Sequence, residues 1–203
     1  MFKRIMDISL AAMGLVFFAP LIGGVALAVW MDSGRPVFFR QVRVGRGGID
    51  FYLWKFRTMR PSPGAEAGAF DAGDASRVTK IGRFLRSWKL DELPQLWNVL
   101  RGPMSLVGPR PEVRKWVAAY PARWASIHRV KPGLTDPASL VFRNEEALLR
   151  RAPDPEAAYR TEILPKKLDL YEAYVSNRTL WRDIRILVHT LGLLLFDHLR
   201  PSG

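Results

Sequence analysis

The feature that most constrains this chain is an uncharged stretch near its start. No Asp, Glu, Lys or Arg lies between Ile8 and Met31. A stretch of about 20 predominantly apolar residues is long enough to cross a bilayer as a helix. Pro20 lies near its centre, where a proline removes a helical hydrogen bond and clashes with the preceding turn. The sequence therefore predicts a membrane-inserted helix that breaks at Ala19 and Pro20.

Both ends of this stretch are basic. Lys3 and Arg4 precede it, and Arg35 and Arg40 follow it. Because positive residues favour the cytoplasmic side of a membrane, each end is expected on that side. A re-entrant hairpin, which enters and leaves by the same face and bends at Pro20, satisfies both ends. An ordinary kinked transmembrane helix is the alternative, since spans tolerate kinks.

The composition predicts an anionic partner. The formal net charge is +12 and the sequence pI is about 10.6, which suits nucleic acid, anionic lipid headgroups or phosphorylated substrates. The chain has no cysteine, so disulfides, thiolate metal sites and cysteine nucleophiles are excluded. Its three histidines, His128, His189 and His198, show no metal-ligand spacing.

The segment after the apolar stretch predicts a β-hairpin. Val37–Val42 and Asp50–Phe56 are rich in β-branched and aromatic residues and flank a turn at Gly45–Gly48. The glycines of this turn could indicate phosphate binding. A plain turn is favoured, because no strand-to-helix motif follows the glycines. Residues 60–77, rich in proline, glycine and alanine, predict a mobile loop that covers a site.

The remaining sequence predicts a helix-rich α/β fold. Pro121 and Pro165 are expected to break the helices. Tryptophans beside Lys and Arg, such as Trp116, Trp124 and Trp181, are typical of amphipathic helices in a membrane interface. Packing on the protein's own core is the alternative for any one of these helices. The predicted helices are Thr79–Trp88, Leu93–Leu100, 111–129, 144–151, 155–176 and 179–199.

The strongest candidate for chemistry is the adjacent pair Asp91 and Glu92, just before a predicted helix. Such carboxylates can simply cap a helix. The neighbouring cations favour phosphoryl chemistry instead, in which arginine and lysine hold anionic oxygens and a carboxylate attacks phosphorus. Nucleic-acid binding would use the same cations but leaves the acidic pair unexplained. The cations are Lys55, Arg57, Arg86, Lys89 and Arg110.

The two carboxylates suit different tasks. An aspartate among cations is expected to stay ionised, as a nucleophile must. Magnesium prefers one or two protein carboxylates plus substrate phosphates, and this preference fits Glu92 beside a diphosphate.

Several long motifs, in order, resemble the monotopic phosphoglycosyl transferases. They follow a basic N-terminal apolar helix with a central proline, and the match covers nearly the whole chain. The chain is similar to the small members of that family that carry no extra membrane domain. The motifs are Lys55–Met59, Arg86–Ser87, Leu90–Leu100, Met104–Pro111 and Lys131–Thr135.

The resemblance implies a ping-pong reaction in a bacterial inner membrane, on its cytoplasmic face. Asp91 would attack the β-phosphate of a UDP-sugar, UMP would leave, and undecaprenyl phosphate would take the phosphosugar. Glu92 would hold Mg2+, and no nucleic acid would be bound. Residues 1–35 would form the re-entrant membrane helix and 36–203 the catalytic domain.

The resemblance also assigns supporting residues. Lys3, Arg4, Ala19 and Pro20 would seat the enzyme on the cytoplasmic leaflet. The substrate and its phosphates would be lined by Lys55, Arg86, Arg110 and Arg143.

Three departures from the family pattern concern specificity and the membrane bend. Ala19 stands where serine usually precedes the proline, so the proline alone must set the bend. Asp136–Ser139 replaces a common Gly-Leu-Ala-Gln. Val141 and Phe142 precede Arg143 and Asn144 where Asn-Gly is frequent.

Two rival functions remain open from the residues. One is a membrane-tethered phosphohydrolase, in which water is the acceptor. The other is a non-catalytic protein that binds anionic lipid or nucleic acid, for which salt would govern binding steeply.

Overall fold

The structure is a computed structural model that describes residues 2–60, 76–143 and 145–196. Most of the predicted 60–77 loop, Asn144, and the end of the helix predicted over 179–199 lie outside the described residues. What is described is helix-rich, with two small two-stranded sheets.

The N-terminal apolar stretch forms two helices, α1 (Phe2–Phe17) and α2 (Ala19–Ser33). Their axes bend by 61° at the break. Pro20 lies in the first turn of α2, where its missing N–H leaves no hydrogen bond unmade. Among the described residues, no single helix is long and apolar enough to cross a membrane, but α1 and α2 satisfy this requirement as a bent pair. The predicted break at Pro20 is confirmed.

Polar side chains in the first two turns of α1 attach it to the rest of the chain. Lys3 Nζ lies 2.6 Å from Asp183 and donates to the carbonyl of Val107 at 3.1 Å. Asp7 is 2% exposed and accepts hydrogen bonds from the Ser105 hydroxyl and the Leu106 N–H, at 2.8 and 3.1 Å.

Arg4 fixes the same end of α1. It donates to the carbonyls of Val99 and Leu100, at 2.7 and 3.0 Å. The structure therefore gives Lys3 and Arg4 partners inside the protein, and a role for either in seating the chain on a membrane stays a prediction.

The predicted β-hairpin is confirmed. Strand β1 (Phe38–Val44) pairs antiparallel with β2 (Asp50–Phe56). The turn between them contains Gly47 and Gly48, both at positive φ, which glycine adopts without steric cost. It includes a 3-10 turn at Arg46–Gly48, and that it binds no phosphate stays a prediction.

Two predicted helices follow, and both are confirmed. Helix α3 (Lys80–Ser87) is capped by Thr79, whose hydroxyl accepts from the Gly82 N–H at 2.9 Å. Helix α4 spans Gln95–Arg101. A single 3-10 turn, Leu90–Glu92, connects them.

A short parallel sheet, which the sequence analysis did not predict, joins distant parts of the chain. Strand β3 (Ser105–Val107) pairs with β4 (Gly133–Thr135). The two strands approach so closely that glycine is required. A Cβ at Gly108 would lie 2.4 Å from the Lys131 carbonyl oxygen, and one at Gly133 would lie 2.1 Å from the Gly108 nitrogen.

The C-terminal part is helical, as predicted, and the predicted break at Pro121 is confirmed, because α6 begins there. At Pro165 the helical run 155–176 does not end. A π-helical turn at Tyr159–Ile163 lies just before this proline. The helices are α5 (Arg114–Ala119), α6 (Pro121–Ile127), α7 (Pro137–Val141), α8 (Glu145–Arg151), α9 (Pro155–Ala158), α10 (Leu164–Ser176) and α11 (Leu180–Phe196).

The tryptophans of this part divide between the core and the surface. Trp116 and Trp124 are buried with Leu168 and Tyr171 in a core cluster. The interface interpretation is therefore wrong for these two, because their rings fill the protein's own interior. Trp181 on α11 is 73% exposed, which agrees with that interpretation.

Candidate active site

Asp91 and Glu92 lie in the 3-10 turn between α3 and α4. The residue before this turn, Lys89, has φ 56° and ψ 18°, in the left-handed region. A non-glycine residue there costs about 1–2 kcal/mol. The surrounding structure therefore holds a strained backbone bend just before the acidic pair.

The Glu92 carboxylate is held by two cations. Lys55 on β2 donates to its Oε1 at 3.0 Å. Arg110 donates to both oxygens, from Nη2 to Oε1 at 2.5 Å and from Nη1 to Oε2 at 3.3 Å. This two-pronged contact fixes the orientation of the guanidinium group as well as its distance.

These contacts set the charge of Glu92. Burial raises the pKa of its carboxyl, but Arg110 and Lys55 outweigh burial and hold that pKa well below its ordinary value. In return, Glu92 raises the pKa of Arg110. Glu92 is therefore an anion held between cations, and its charge is largely neutralised.

Asp91 differs from its neighbour. It is 7% exposed, and its Oδ1 is buried and has no hydrogen-bond partner among the residues described. Burial raises the pKa of its carboxyl, and Lys55, 4.0 Å from Oδ2, opposes that rise. Burial therefore opposes the ionisation of Asp91 that the neighbouring cations favour, and its ionised state stays a prediction. What remains is a desolvated carboxylate with one oxygen uncommitted.

Asn98 positions Lys55, a role that the sequence analysis missed. Its side-chain oxygen accepts from the Trp54 N–H at 3.0 Å, and its amide nitrogen donates to the Tyr52 carbonyl at 2.7 Å. Because Asn98 lies on α4 and its partners on β2, the amide joins the hairpin to the helix that follows the acidic turn. Nothing in the sequence distinguishes this asparagine except its place within the long motif Leu90–Leu100.

Arg110 is positioned by the parallel sheet. The Gly108 N–H donates to the Thr135 carbonyl at 3.1 Å, and the Gly133 N–H donates to the Pro109 carbonyl at 3.0 Å. These backbone bonds extend the β3–β4 pairing into the turn that carries Arg110.

Asp136 follows β4 and lies close to the same turn. It is fully buried and caps α7 through hydrogen bonds from the Ser139 N–H and hydroxyl. Burial raises the pKa of Asp136, while its charge in turn helps to raise the pKa of Arg110. The departure from the family pattern noted at this position is therefore a helix cap beside the candidate site.

A magnesium ion could be held only with help from a substrate. Within residues 2–60, 76–143 and 145–196, no group of three or more His, Asp or Glu side chains could hold a metal. Mg2+ typically takes one or two protein carboxylates when substrate phosphates complete its shell. Glu92 is a donor of that kind. The donor set fits Mg2+ beside a diphosphate, and Glu92 as its ligand stays a prediction.

The other cations predicted for this site do not all join it. Arg57 instead closes the end of α2, donating to the carbonyls of Ser33 and Gly34 at 2.5 and 2.7 Å. Its expected place beside the acidic pair is therefore wrong. Arg86 lies partly buried on α3 and Arg143 lies exposed after α7, and substrate-binding roles for these two stay predictions.

The geometry defines a class of site. A buried carboxylate with a free oxygen lies beside a second carboxylate that is held by lysine and arginine. This arrangement can attack a phosphate ester and hold the oxygens of the phosphate during the attack. The arrangement therefore suits phosphoryl-group chemistry.

Sequence comparison gives the family. The model of the bacterial sugar transferase family matches residues 1–197, and the chain belongs to that family. The predicted resemblance is confirmed.

Named relatives cover nearly all of this chain. One from Caulobacter vibrioides, named UDP-glucose:undecaprenyl-phosphate glucose-1-phosphate transferase, is 39% identical over 95% of this chain and 69% of its own length. One from Aeromonas hydrophila, named UDP-N-acetylgalactosamine-undecaprenyl-phosphate N-acetylgalactosaminephosphotransferase, is 36% identical over 95% of this chain and 43% of its own length. An uncharacterized sugar transferase from Bacillus subtilis is 37% identical over 95% of this chain and 87% of its own length.

The relatives differ in length. The chain spans less than half the length of the Aeromonas relative and of relatives from Xanthomonas campestris, Klebsiella pneumoniae and Escherichia coli.

Proposed function

We propose that this chain transfers a sugar-1-phosphate from a UDP-sugar to undecaprenyl phosphate and releases UMP. The names of the relatives from Caulobacter and Aeromonas support the donor and acceptor classes. The observation that carries the mechanism is the buried, uncommitted Oδ1 of Asp91 beside the cation-held Glu92. Because those two names give different sugars, the proposal extends to the class of donor and not to one sugar.

The first half of the reaction forms a covalent intermediate. An Asp91 carboxylate oxygen attacks the β-phosphorus of the UDP-sugar. The bond from that phosphorus to the bridging oxygen breaks, and UMP leaves with the bonding electron pair. The phosphosugar is then held on Asp91 as an acyl phosphate.

The second half restores the enzyme. A phosphate oxygen of undecaprenyl phosphate attacks the same phosphorus, the bond to Asp91 breaks, and the carboxylate is regenerated. The product is undecaprenyl-diphosphate sugar. No proton has to be taken from the attacking carboxylate, so the mechanism needs no histidine beside Lys55, Asp91, Glu92 and Arg110.

The cations have a proposed role in both halves. Lys55 and Arg110 would contact the donor's phosphate oxygens and stabilise the charge that develops as UMP departs. Arg86 and Arg143 are proposed as further substrate contacts. When bound, Mg2+ held by Glu92 would neutralise diphosphate charge.

An isotope-exchange experiment tests the covalent step. The enzyme is incubated with UDP-sugar, magnesium and labelled UMP in the absence of lipid acceptor. A ping-pong mechanism moves label into the UDP-sugar, because the first half-reaction runs backwards from the intermediate. We expect exchange with the wild type and none with Asp91→Asn, whose amide cannot attack phosphorus. UDP-glucose and UDP-N-acetylgalactosamine are the first donors to use.

The matched control is Asp169→Asn, which removes an exposed carboxylate paired with Arg123. Exchange by the Asp91→Asn variant at the wild-type rate would refute the covalent mechanism. Repeated turnover of UDP-sugar to UMP and sugar-1-phosphate without lipid would identify a phosphohydrolase. Steeply salt-dependent binding without turnover would identify a non-catalytic binder.

We further propose that α1 and α2 form a re-entrant hairpin in the cytoplasmic face of a bacterial inner membrane. Because the chain has no cysteine, single cysteines report topology directly. Phe2→Cys and Arg35→Cys should both react with a membrane-impermeant maleimide only from the cytoplasmic side. Labelling of the two positions from opposite sides would establish the kinked transmembrane alternative.

A further inference from the structure

A cleft of about 430 Å³ lies outside the candidate active site, between α7 and the start of α11. It is lined by Pro137, Thr179, Trp181, Arg182, Arg185 and Ile186. None of these belongs to the cluster of Lys55, Asp91, Glu92 and Arg110. The cleft is therefore a separate feature.

The cleft has a net positive charge. Two of its lining residues are arginines, and its lining contains no acidic residue. The nearest acid along the helix is Asp183, and its two oxygens are engaged by Lys3 and Tyr174, both at 2.6 Å. Arg182 Nη1 donates to the carbonyls of Ala173 and Asn177, at 3.3 and 3.4 Å, and within the described part of the chain its other two guanidinium nitrogens make no hydrogen bond.

The two arginines lie between an exposed apolar stripe of α11 and the side of that helix that faces the core. At 100° per residue, Trp181, Val188 and Leu195 share one stripe of the helix. All three are exposed, by 73%, 64% and 66%. Arg185 borders that stripe, and Arg182 lies one step further round, next to the side that Ile186 buries. Around the helix, an exposed apolar stripe thus gives way to arginines and then to the core.

This pattern matches one kind of ligand. An exposed apolar stripe suits acyl chains, while adjacent arginines suit a phosphate at the level where the chains meet the headgroups. Arginine binds phosphate oxygens through several N–H groups at once. A soluble phosphate would use the cations and leave the apolar stripe exposed to water.

We propose that this cleft, which we call the α7–α11 cleft, binds the phosphate of an anionic phospholipid headgroup, with the acyl chains along Trp181, Val188 and Leu195. The inference rests on the membrane association proposed above but not on the transfer reaction. It gives the protein a specific lipid contact in addition to the α1–α2 hairpin.

Fluorescence quenching in nanodiscs tests this proposal. The full chain is reconstituted in phosphatidylcholine with a minor fraction of brominated phosphatidylglycerol, or with the same fraction of brominated phosphatidylcholine. The chain has seven tryptophans, so the difference between wild type and Trp181→Phe isolates Trp181. We expect phosphatidylglycerol to quench Trp181 several-fold more strongly than phosphatidylcholine does.

The matched variants carry the same change of charge. Arg182→Gln with Arg185→Gln should remove the preference for phosphatidylglycerol, so that the two brominated lipids quench Trp181 equally. Arg150→Gln with Arg151→Gln removes two exposed arginines of α8 and should leave the preference in place. Equal loss in both double variants would show a general charge effect and overturn the proposal.

A competition arm separates the two lipid sources of phosphate. Unlabelled undecaprenyl phosphate is added to the nanodiscs that contain brominated phosphatidylglycerol. Retained quenching of Trp181 supports a phospholipid site, while full displacement would assign the cleft to the acceptor and overturn the proposal. The readout uses no turnover, so a failure of the proposed reaction would appear separately, in the UMP exchange.

Discussion

The two cations that hold Glu92 come from regions built in different ways. Lys55 lies on the β1–β2 hairpin, which one amide side chain, that of Asn98, joins to α4. Arg110 lies on the turn after β3, which backbone hydrogen bonds and closely packed glycines join to β4. Backbone packing leaves no room for adjustment, whereas a side-chain amide can be replaced at limited cost. We therefore expect the Arg110 side of the site to be the less tolerant of change.

The largest effect is expected from Gly108→Ala. The added Cβ would lie 2.4 Å from the Lys131 carbonyl oxygen, so the two short strands must move apart. We expect a loss of about 3 kcal/mol in the free energy of unfolding, at the upper end for over-packing. Displacing Arg110 by about 1 Å should lower kcat/KM roughly 100-fold. Chemical denaturation and UMP release measure the two effects.

Gly192→Ala is the control for this variant. Its Cβ would meet no atom within 4 Å, and the residue lies inside α11. Alanine there should raise the free energy of unfolding by up to about 1 kcal/mol. If Gly108→Ala were as stable and active as Gly192→Ala, the rigid attachment of Arg110 would be refuted.

An intermediate effect is expected from Asn98→Ala. It removes the partners of the Trp54 N–H and the Tyr52 carbonyl, at a cost of about 1–3 kcal/mol. Because β2 can still pair with β1, the fall in kcat/KM should be smaller than for Gly108→Ala. Asn98→Asp keeps an acceptor for Trp54 but turns a second acceptor oxygen toward the Tyr52 carbonyl in a buried place, so it should be at least as destabilising as Asn98→Ala.

Asn177→Ala serves as the matched control, since Asn177 is exposed and donates only to the Ala173 carbonyl of its own helix. A larger loss of activity in Asn98→Ala than in Gly108→Ala would reverse the comparison between the two attachments.

The smallest expected effect is a shift of the pH profile. Burial raises the pKa of Asp91, so kcat/KM should fall with decreasing pH at a higher pH than for an exposed aspartate. The carboxylate that we propose as the nucleophile is ionised above that pKa and is lost as the pH falls through it. Lys55 opposes the rise more than Arg110 does. Removing Lys55 should therefore move the acid limb further upward.

This prediction is checked by measuring kcat/KM against pH for Lys55→Gln and Arg110→Gln. Both variants lose rate, so the midpoint of the acid limb is the informative quantity. A larger upward shift with Arg110→Gln would mean that Arg110, and not Lys55, governs the charge of Asp91.

The sequence predicted those parts of the fold whose signals are local. The hairpin follows from β-branched and aromatic runs around glycines, and α3 and α4 follow from helix-start signals at Thr79 and Pro94. The break at Pro20 follows from proline's missing N–H. Motifs and charge also indicate Lys55, Glu92 and Arg110, which contact one another in the structure.

What could not be predicted depends on contacts between distant residues. Strands β3 and β4 have three residues each, which is too short for an alternating pattern to appear. The positive φ of Lys89 has no signal in a lysine. The burial of Trp116 and Trp124 could not be predicted, because the spacing of apolar residues in an amphipathic helix is the same whether its apolar face packs on the protein core or on a membrane.

The attachment of α1 changes how the N-terminal segment should be regarded in practice. Asp7 accepts hydrogen bonds from Ser105 and Leu106, which lie just before the turn that carries Arg110. A truncation that starts after Ser33, made to obtain a water-soluble enzyme, would leave β3 without these contacts. The N-terminal segment therefore supports the part of the chain that carries the candidate site. A more soluble enzyme should be sought by replacing the outward apolar residues of α1 and α2 while both helices are kept.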